Sequence, residues 1–192
     1  MKVSICAVFV IFISFNPLFA QQIDLNAKVN LVALNAKKFT LSQLRKNTAS
    51  VVIFFSPECP ICTQMTKSVR EMADSFSSRN IKFYLIYPGK YYSRSHIRKF
   101  QKEYLLKIDG FRDDNSELVK ILGAKVTPQA FVIDARGEVI YSGKIDNWFE
   151  DIGKRRTIIT EFYLQDALNS VIRHREPAIK ETKPVGCFID IH

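Results

Sequence analysis

Histidine and cysteine are scarce in this chain, three and four respectively among 192 residues. A structural zinc site needs four ligands, as two cysteine pairs or as one pair with suitably spaced histidines. Here there is one Cys-x-x-Cys pair, Cys59 and Cys62, one remote cysteine, Cys187, and histidines at 96, 174 and 192 without ligand spacing. Zinc is weakly supported, and no cofactor is implied. Acidic residues are also few, 19 against 28 basic ones. The basic groups at 94–102 and 154–156 lack the interleaved aromatics or recognition motif of a nucleic-acid face, so they read as solvated surface. Repeats, low-complexity blocks and linkers are missing too, which points to one domain.

Apolar runs long enough to span a membrane are absent. The longest, Val3–Phe15, has 13 residues, short of the roughly 20 a membrane helix requires. Lys2 precedes it, Asn16-Pro17 breaks it, and Leu18-Phe19-Ala20 leads into Gln21-Gln22. This is the layout of a secretory signal peptide ending at Ala20. The expected division is a signal peptide at 1–20, a domain at 21–175 and an extended tail at 176–192. Export predicts the periplasm of a bacterium, with secretion or a retained signal anchor as the other outcomes. Cys6 leaves with the leader, and the remaining chain carries 27 basic and 19 acidic residues. The odd count of remaining cysteines rules out a miniature domain stapled only by disulfides.

What is present follows an alternating pattern. Val29–Ala33 and Lys38–Leu41 read as an N-terminal hairpin, followed by a helical turn at Ser42–Arg45. Val51–Phe55 and Ile81–Tyr87 are continuous β-favouring apolar runs, as in strands buried on both faces. Between them Cys62, Met65, Val69, Met72, Ala73 and Phe76 form one helical stripe. Ser95 is expected to cap a helix with Ile97, Phe100, Tyr104 and Leu105 inward. Arg112-Asp113-Asp114 reads as a polar loop capping a short helix from Asn115 or Ser116 to Gly123. Ala130–Asp134 and Glu138–Ser142 form a hairpin, and a last helix covers Thr160–His174. The fold class is α/β: a mixed central sheet with helices on both faces and an N-terminal β-hairpin.

The cysteine pair stands between a buried strand and an amphipathic helix, within "FFSPECPICTQM". Pro60 suits the first helical position, which puts Cys59 at the helix N-terminus, where unsatisfied N–H groups and the dipole favour a thiolate. Cys62 falls one turn inside. Lowering a thiol pKa by about two units takes roughly 2.7 kcal/mol. A helix dipole supplies about 0.3–1 kcal/mol, or about 2 when partly buried. Hydrogen bonds from nearby amides and the Cys62 thiol must supply the remainder. Such a pair exchanges disulfides: Cys59 attacks, and Cys62 resolves the mixed disulfide.

At these residues the chain resembles the thioredoxin-like superfamily, in particular its exported redoxin and peroxiredoxin-like (AhpC/TSA-type) branch. The resemblance runs from about Lys28 to Arg173 and rests on "CPIC", on "GAKVTPQAFVID" and on "YSGKIDNW". It implies a thioredoxin-like fold and a cis Pro128 facing the pair, with the Thr127 backbone presented to a bound substrate strand. It also implies catalytic Cys59 and Cys62 forming a redox-active disulfide, and protein thiols or disulfides as partners, recharged by a membrane-embedded thiol–disulfide protein. Departures are visible. Glu58 stands where many thioredoxins have Trp, and Ile53 where they have a buried acid. Val52 and Ser56 stand where peroxiredoxins have the Pro and Thr of P-x-x-x-T-x-x-C, which weakens a peroxidase reading.

The sequence therefore predicts an exported thiol–disulfide oxidoreductase. A copper metallochaperone using Cys59 and Cys62, and a thiol peroxidase, are the alternatives. His96 and His174 are expected at helix margins, Met65, Met72 and Trp148 in packing roles. In "ETKPVGCFIDIH" the alternation of Val185, Cys187, Ile189 and Ile191 predicts a short strand lying against the sheet or core. Cys187 is expected to be a packed or free thiol, with a third redox cysteine and a metal ligand as the other readings. Bonding to Cys59 would require the tail to fold back over the pair.

Overall fold

The computed structural model describes residues 21–35 and 37–191; the signal peptide expected at 1–20 lies outside them. Along the chain come β1 (Val32–Ala33), β2 (Ala49–Phe54), α1 (Pro60–Phe76), β3 (Ile81–Pro88), α2 (Arg94–Glu103), β4 (Asp109–Asp113) and α3 (Glu117–Leu122). They are followed by β5 (Val126–Thr127), β6 (Gln129–Asp134), β7 (Val139–Gly143), β8 (Phe149–Asp151), β9 (Lys154–Arg155), α4 (Tyr163–Ile172) and β10 (Cys187–Phe188). The main sheet has the order β1-β4-β3-β2-β6-β7. β2, β3 and β4 are parallel, while β1, β6 and β7 pair antiparallel.

The apolar runs alternate faces, as period-two geometry requires. Val51, Ile53, Phe83, Leu85 and Val132 meet Ile61, Met65 and Val69 of α1, Ile97 and Phe100 of α2, and Leu164 and Leu168 of α4. Val52, Phe54, Tyr84, Ile86 and Phe131 meet Leu118, Val119 and Leu122 of α3, with Leu41 and Leu44 from the turn before β2. Helices thus cover both faces of a mixed sheet. Covering both faces is what lets β2 be buried at every residue.

The expected N-terminal hairpin does not form: Lys38–Leu41 makes no strand, and β1 instead pairs with β4 at the sheet edge. Two residues of the polar loop expected at Arg112-Asp113-Asp114 instead end β4 (Asp109–Asp113), which lies between β1 and β3. Its last residue, Asp113, is buried and accepts the backbone N–H groups of Glu117, Leu118 and Val119 at 2.8, 2.9 and 3.0 Å. This caps α3 from outside the helix. α3 ends at Gly123, whose φ of 68° suits a left-handed C-cap. Ser93, not Ser95, caps α2 by accepting from His96 N–H at 3.1 Å. Leu105, expected inward, lies past the helix end with φ 55° and is exposed. The last helix is shorter than expected, Tyr163–Ile172.

Among the described residues no helix is long and apolar enough to cross a membrane. The tail follows α4 back across the molecule. It hydrogen-bonds to the outer strand β7, where Ser142 N–H donates to Lys180 O and Thr182 N–H to Ser142 O, each at 3.0 Å. It then crosses to β5, and β10 pairs antiparallel with it, Cys187 opposite Thr127 and Phe188 opposite Val126.

Candidate functional site

β2 delivers the chain into the turn at Ser56, and Pro60 opens α1, so Cys59 is its N-cap residue with φ −80° and ψ 115°. Cys62 lies one turn in and is wholly buried. From the far side β5 contributes Thr127, and the Thr127–Pro128 bond is cis. Pro128 lines a small cleft with Ile61, Met65 and Val185. The structure thus gathers Cys59, Cys62, Thr127 and Pro128 around the start of α1.

The hydrogen bonds separate the sulfurs electrically. Cys59 is drawn down to about 5, first by the Cys62 thiol donating to it. Burial acts against this. The Cys187 thiol and the backbone N–H groups of Cys62 and Cys187 add to the lowering. As a neutral thiol Cys59 donates to the Thr127 carbonyl at 3.0 Å, a contact that opposes the thiolate. Cys62 is pushed well above an ordinary thiol, chiefly by burial, then by its bond to Cys59 and that thiolate's charge. Ser56 N–H donates to Cys62 Sγ at 3.4 Å, a smaller effect of opposite sign. One sulfur is poised as an anion and its neighbour holds a proton, the division a nucleophile and a resolving thiol need.

Cys187, expected first as a packed or free thiol and only alternatively as a third redox cysteine, joins this group. Its Sγ lies 2.6 Å from Cys59 Sγ. Burial, and then the bond to Cys59, push its pKa up to about 12. With the tail in place Cys59 is only 1% exposed. The glycine before a cysteine in a strand-like tail was the available signal, because glycine marks close backbone approach. A Cβ at Gly186 would stand 2.2 Å from Thr127 O.

A cavity of about 290 Å³ adjoins the sulfurs, lined by Ser56, Glu58, Cys59, Tyr92, Cys187 and Phe188 among others. Ser56 Oγ donates to Tyr92 OH at 3.1 Å, and the phenol donates to Glu58 at 3.5 Å. Arg112 holds the Tyr92 carbonyl at 2.9 Å. Tyr92, unmarked in the sequence, roofs the turn before Cys59. His96 lies edge-on to Tyr92 with ring centroids 5.5 Å apart; His174 lines a different cleft. Trp148 packs half-buried against the core, with Arg155 6.0 Å above its ring. Ile53 and Val52 are both buried, one on each face of β2. Among the described residues no group of three or more His, Cys, Asp or Glu side chains is arranged to hold a metal ion.

Solved structures share this architecture at low sequence identity. A hypothetical protein from Sinorhizobium meliloti superposes with a TM-score of 0.77 at 20% identity, covering 91% of this chain and 95% of its own. A thioredoxin-family thiol:disulfide interchange protein from Chlorobium tepidum gives 0.56 at 17% identity, covering 81% and 97%. A secreted disulfide oxidoreductase of Mycobacterium tuberculosis gives 0.54 at 17% identity, covering 75% and 93%. No curated protein sequence matches. The fold is thioredoxin-like. The AhpC/TSA family model matches residues 20–142, most of the sheet and the cysteine turn included, and the chain belongs to the AhpC/TSA family.

Proposed function

We propose that this chain is an exported thiol–disulfide oxidoreductase acting on protein thiols and disulfides, with Cys59 as nucleophile and Cys62 as resolving thiol. The observation that carries the reading is the division of protons at the start of α1: Cys59 held down to about 5 beside a buried Cys62 held well above an ordinary thiol. Cys59 thiolate attacks one sulfur of a substrate disulfide and expels the other as thiolate. Cys62 then attacks Cys59 Sγ, its proton passing to the departing substrate sulfur, and the Cys59–Cys62 disulfide remains. Run backwards, the same steps make a disulfide in the substrate.

Three neighbours of the pair fit this chemistry. Thr127, buried beside Cys59, pairs its backbone with an extended segment, β10. Ser56 and Tyr92 hold the turn so that Cys59 faces the cavity. The sequence expectation of export, and of a membrane-embedded partner that recharges the pair, belongs to this proposal. The test is Cys62→Ser combined with Cys187→Ser, which removes both thiols in contact with Cys59: expressed with its leader, this chain should accumulate Cys59 in mixed disulfides with other proteins. A doubly substituted chain that traps nothing, while Cys59→Ser also leaves disulfide reduction unchanged, removes the proposal.

A further inference from the structure

We infer that Cys187 is a third redox-active thiol, forming a disulfide with Cys59 inside one chain and relaying exchange between the buried pair and outside partners. The inference rests on Cys59 being an exchange nucleophile, as proposed above. Three features make the contact a built one. β10 is held in register on β5, with Cys187 opposite Thr127. It is anchored upstream by the bonds of Lys180 and Thr182 to β7, and downstream by Ile189 N–H donating to Lys125 O at 2.9 Å. Gly186 has no Cβ to meet Thr127 O, so the tail reaches the site at a distance a side chain there would forbid. The two sulfurs are 2.6 Å apart, against about 2.05 Å for a bonded pair.

Exposure gives the relay its direction. Cys62 is wholly buried and Cys59 is covered, whereas Cys187 is partly exposed at the cavity rim. An outside thiol therefore reaches Cys187 more readily than either sulfur of the pair. Starting from the Cys59–Cys62 disulfide, Cys187 thiolate attacks Cys59 Sγ, and Cys62 leaves as a thiolate that takes up the proton Cys187 released. No electrons are gained or lost in that step. A partner thiolate then attacks Cys187 Sγ and expels Cys59. A thiol held near 5 is a good leaving group. The partner's second thiol resolves its mixed disulfide with Cys187. In sum the partner dithiol is oxidised and the chain is reduced by two electrons. The partner class is a protein dithiol or disulfide able to present its sulfur at the cavity beside Phe188.

The test uses the full chain as Cys62→Ser, reduced and then oxidised with oxidised glutathione, alkylated and mapped under non-reducing conditions. The expected product joins the segment carrying Cys59 to the tail segment carrying Cys187 in most molecules. Adding Gly186→Ala keeps every sulfur but moves the tail, and the cross-linked yield should fall by an order of magnitude. If Cys62→Ser instead leaves Cys187 fully alkylated and Cys59 glutathionylated, the relay is overturned. Formation of Cys59–Cys62 in the unaltered chain would then keep the exchange reading standing. If no disulfide forms at Cys59 in either chain, both fall.

Discussion

Thr182 Oγ1 lies 2.8 Å from the Tyr141 hydroxyl and accepts the Lys144 N–H at the same distance, which ties the tail to the end of β7 well before it reaches the cysteines. Thr182→Val removes this acceptor and leaves the Lys144 N–H without it. The expected cost is about 1–3 kcal/mol, read as a lower urea midpoint. The same variant should also alkylate faster at Cys59, because the tail covers that sulfur. An unchanged alkylation rate would mean the tie does not hold the cover.

Cys59 reactivity should report its neighbours. In the reduced chain, the rate with a small alkylating reagent should reach half its plateau near pH 5. Because the Cys62 thiol is the largest contributor to the lowering, Cys62→Ala should move the midpoint up further than Cys187→Ala does. A profile for the unaltered chain that still climbs through pH 8 contradicts this.

Stability of the reduced chain should pass through a maximum. An ordinary thiol, with a pKa near 9.0, keeps its proton in the unfolded chain between pH 5 and 9, while folded Cys59 has lost it. The unfolded state then binds more protons, so stability rises with pH across that window. Above it the sign reverses, since unfolded Cys62 and Cys187 ionise while their folded forms, pushed up by burial, stay protonated. Urea unfolding at several pH values checks both limbs. Cys59→Ala should flatten the rising one and make the falling one shallower without removing it, since burial remains the first cause of the raised Cys62 and Cys187.

Asp113 offers a control away from the sulfurs. Asp113→Ala strands three N–H groups at the start of α3, two of them buried, and the chain should lose about 3 kcal/mol. Its Cys59 pH–rate profile should keep the same midpoint, since Asp113 makes no contact with the pair. A moved midpoint would show that α3 positions the β5 side of the site.

The buried strands, the amphipathic α1 and the cysteine turn were all readable, because apolar periodicity and a proline-opened helix are local features. Val51–Phe55, Ile81–Tyr87 and Cys59–Cys62 needed no partners to be recognised. Edge pairing was not legible in the same way. Asp109–Asp113 carries too many polar residues to look like a strand, and only its place beside β3, with β1 on its other side, makes it one. The expected N-terminal hairpin failed for the same reason: the better partner for Val32–Ala33 lay far away in sequence. The alternation at Val185–Ile191 did predict an extended tail. Its destination was decided by tertiary packing, through the ties at Thr182 and the close backbone approach that Gly186 permits. Local pattern states what a segment can become, whereas the sulfur facing Cys59 depends on a chain reversal of 128 residues, which no local pattern encodes.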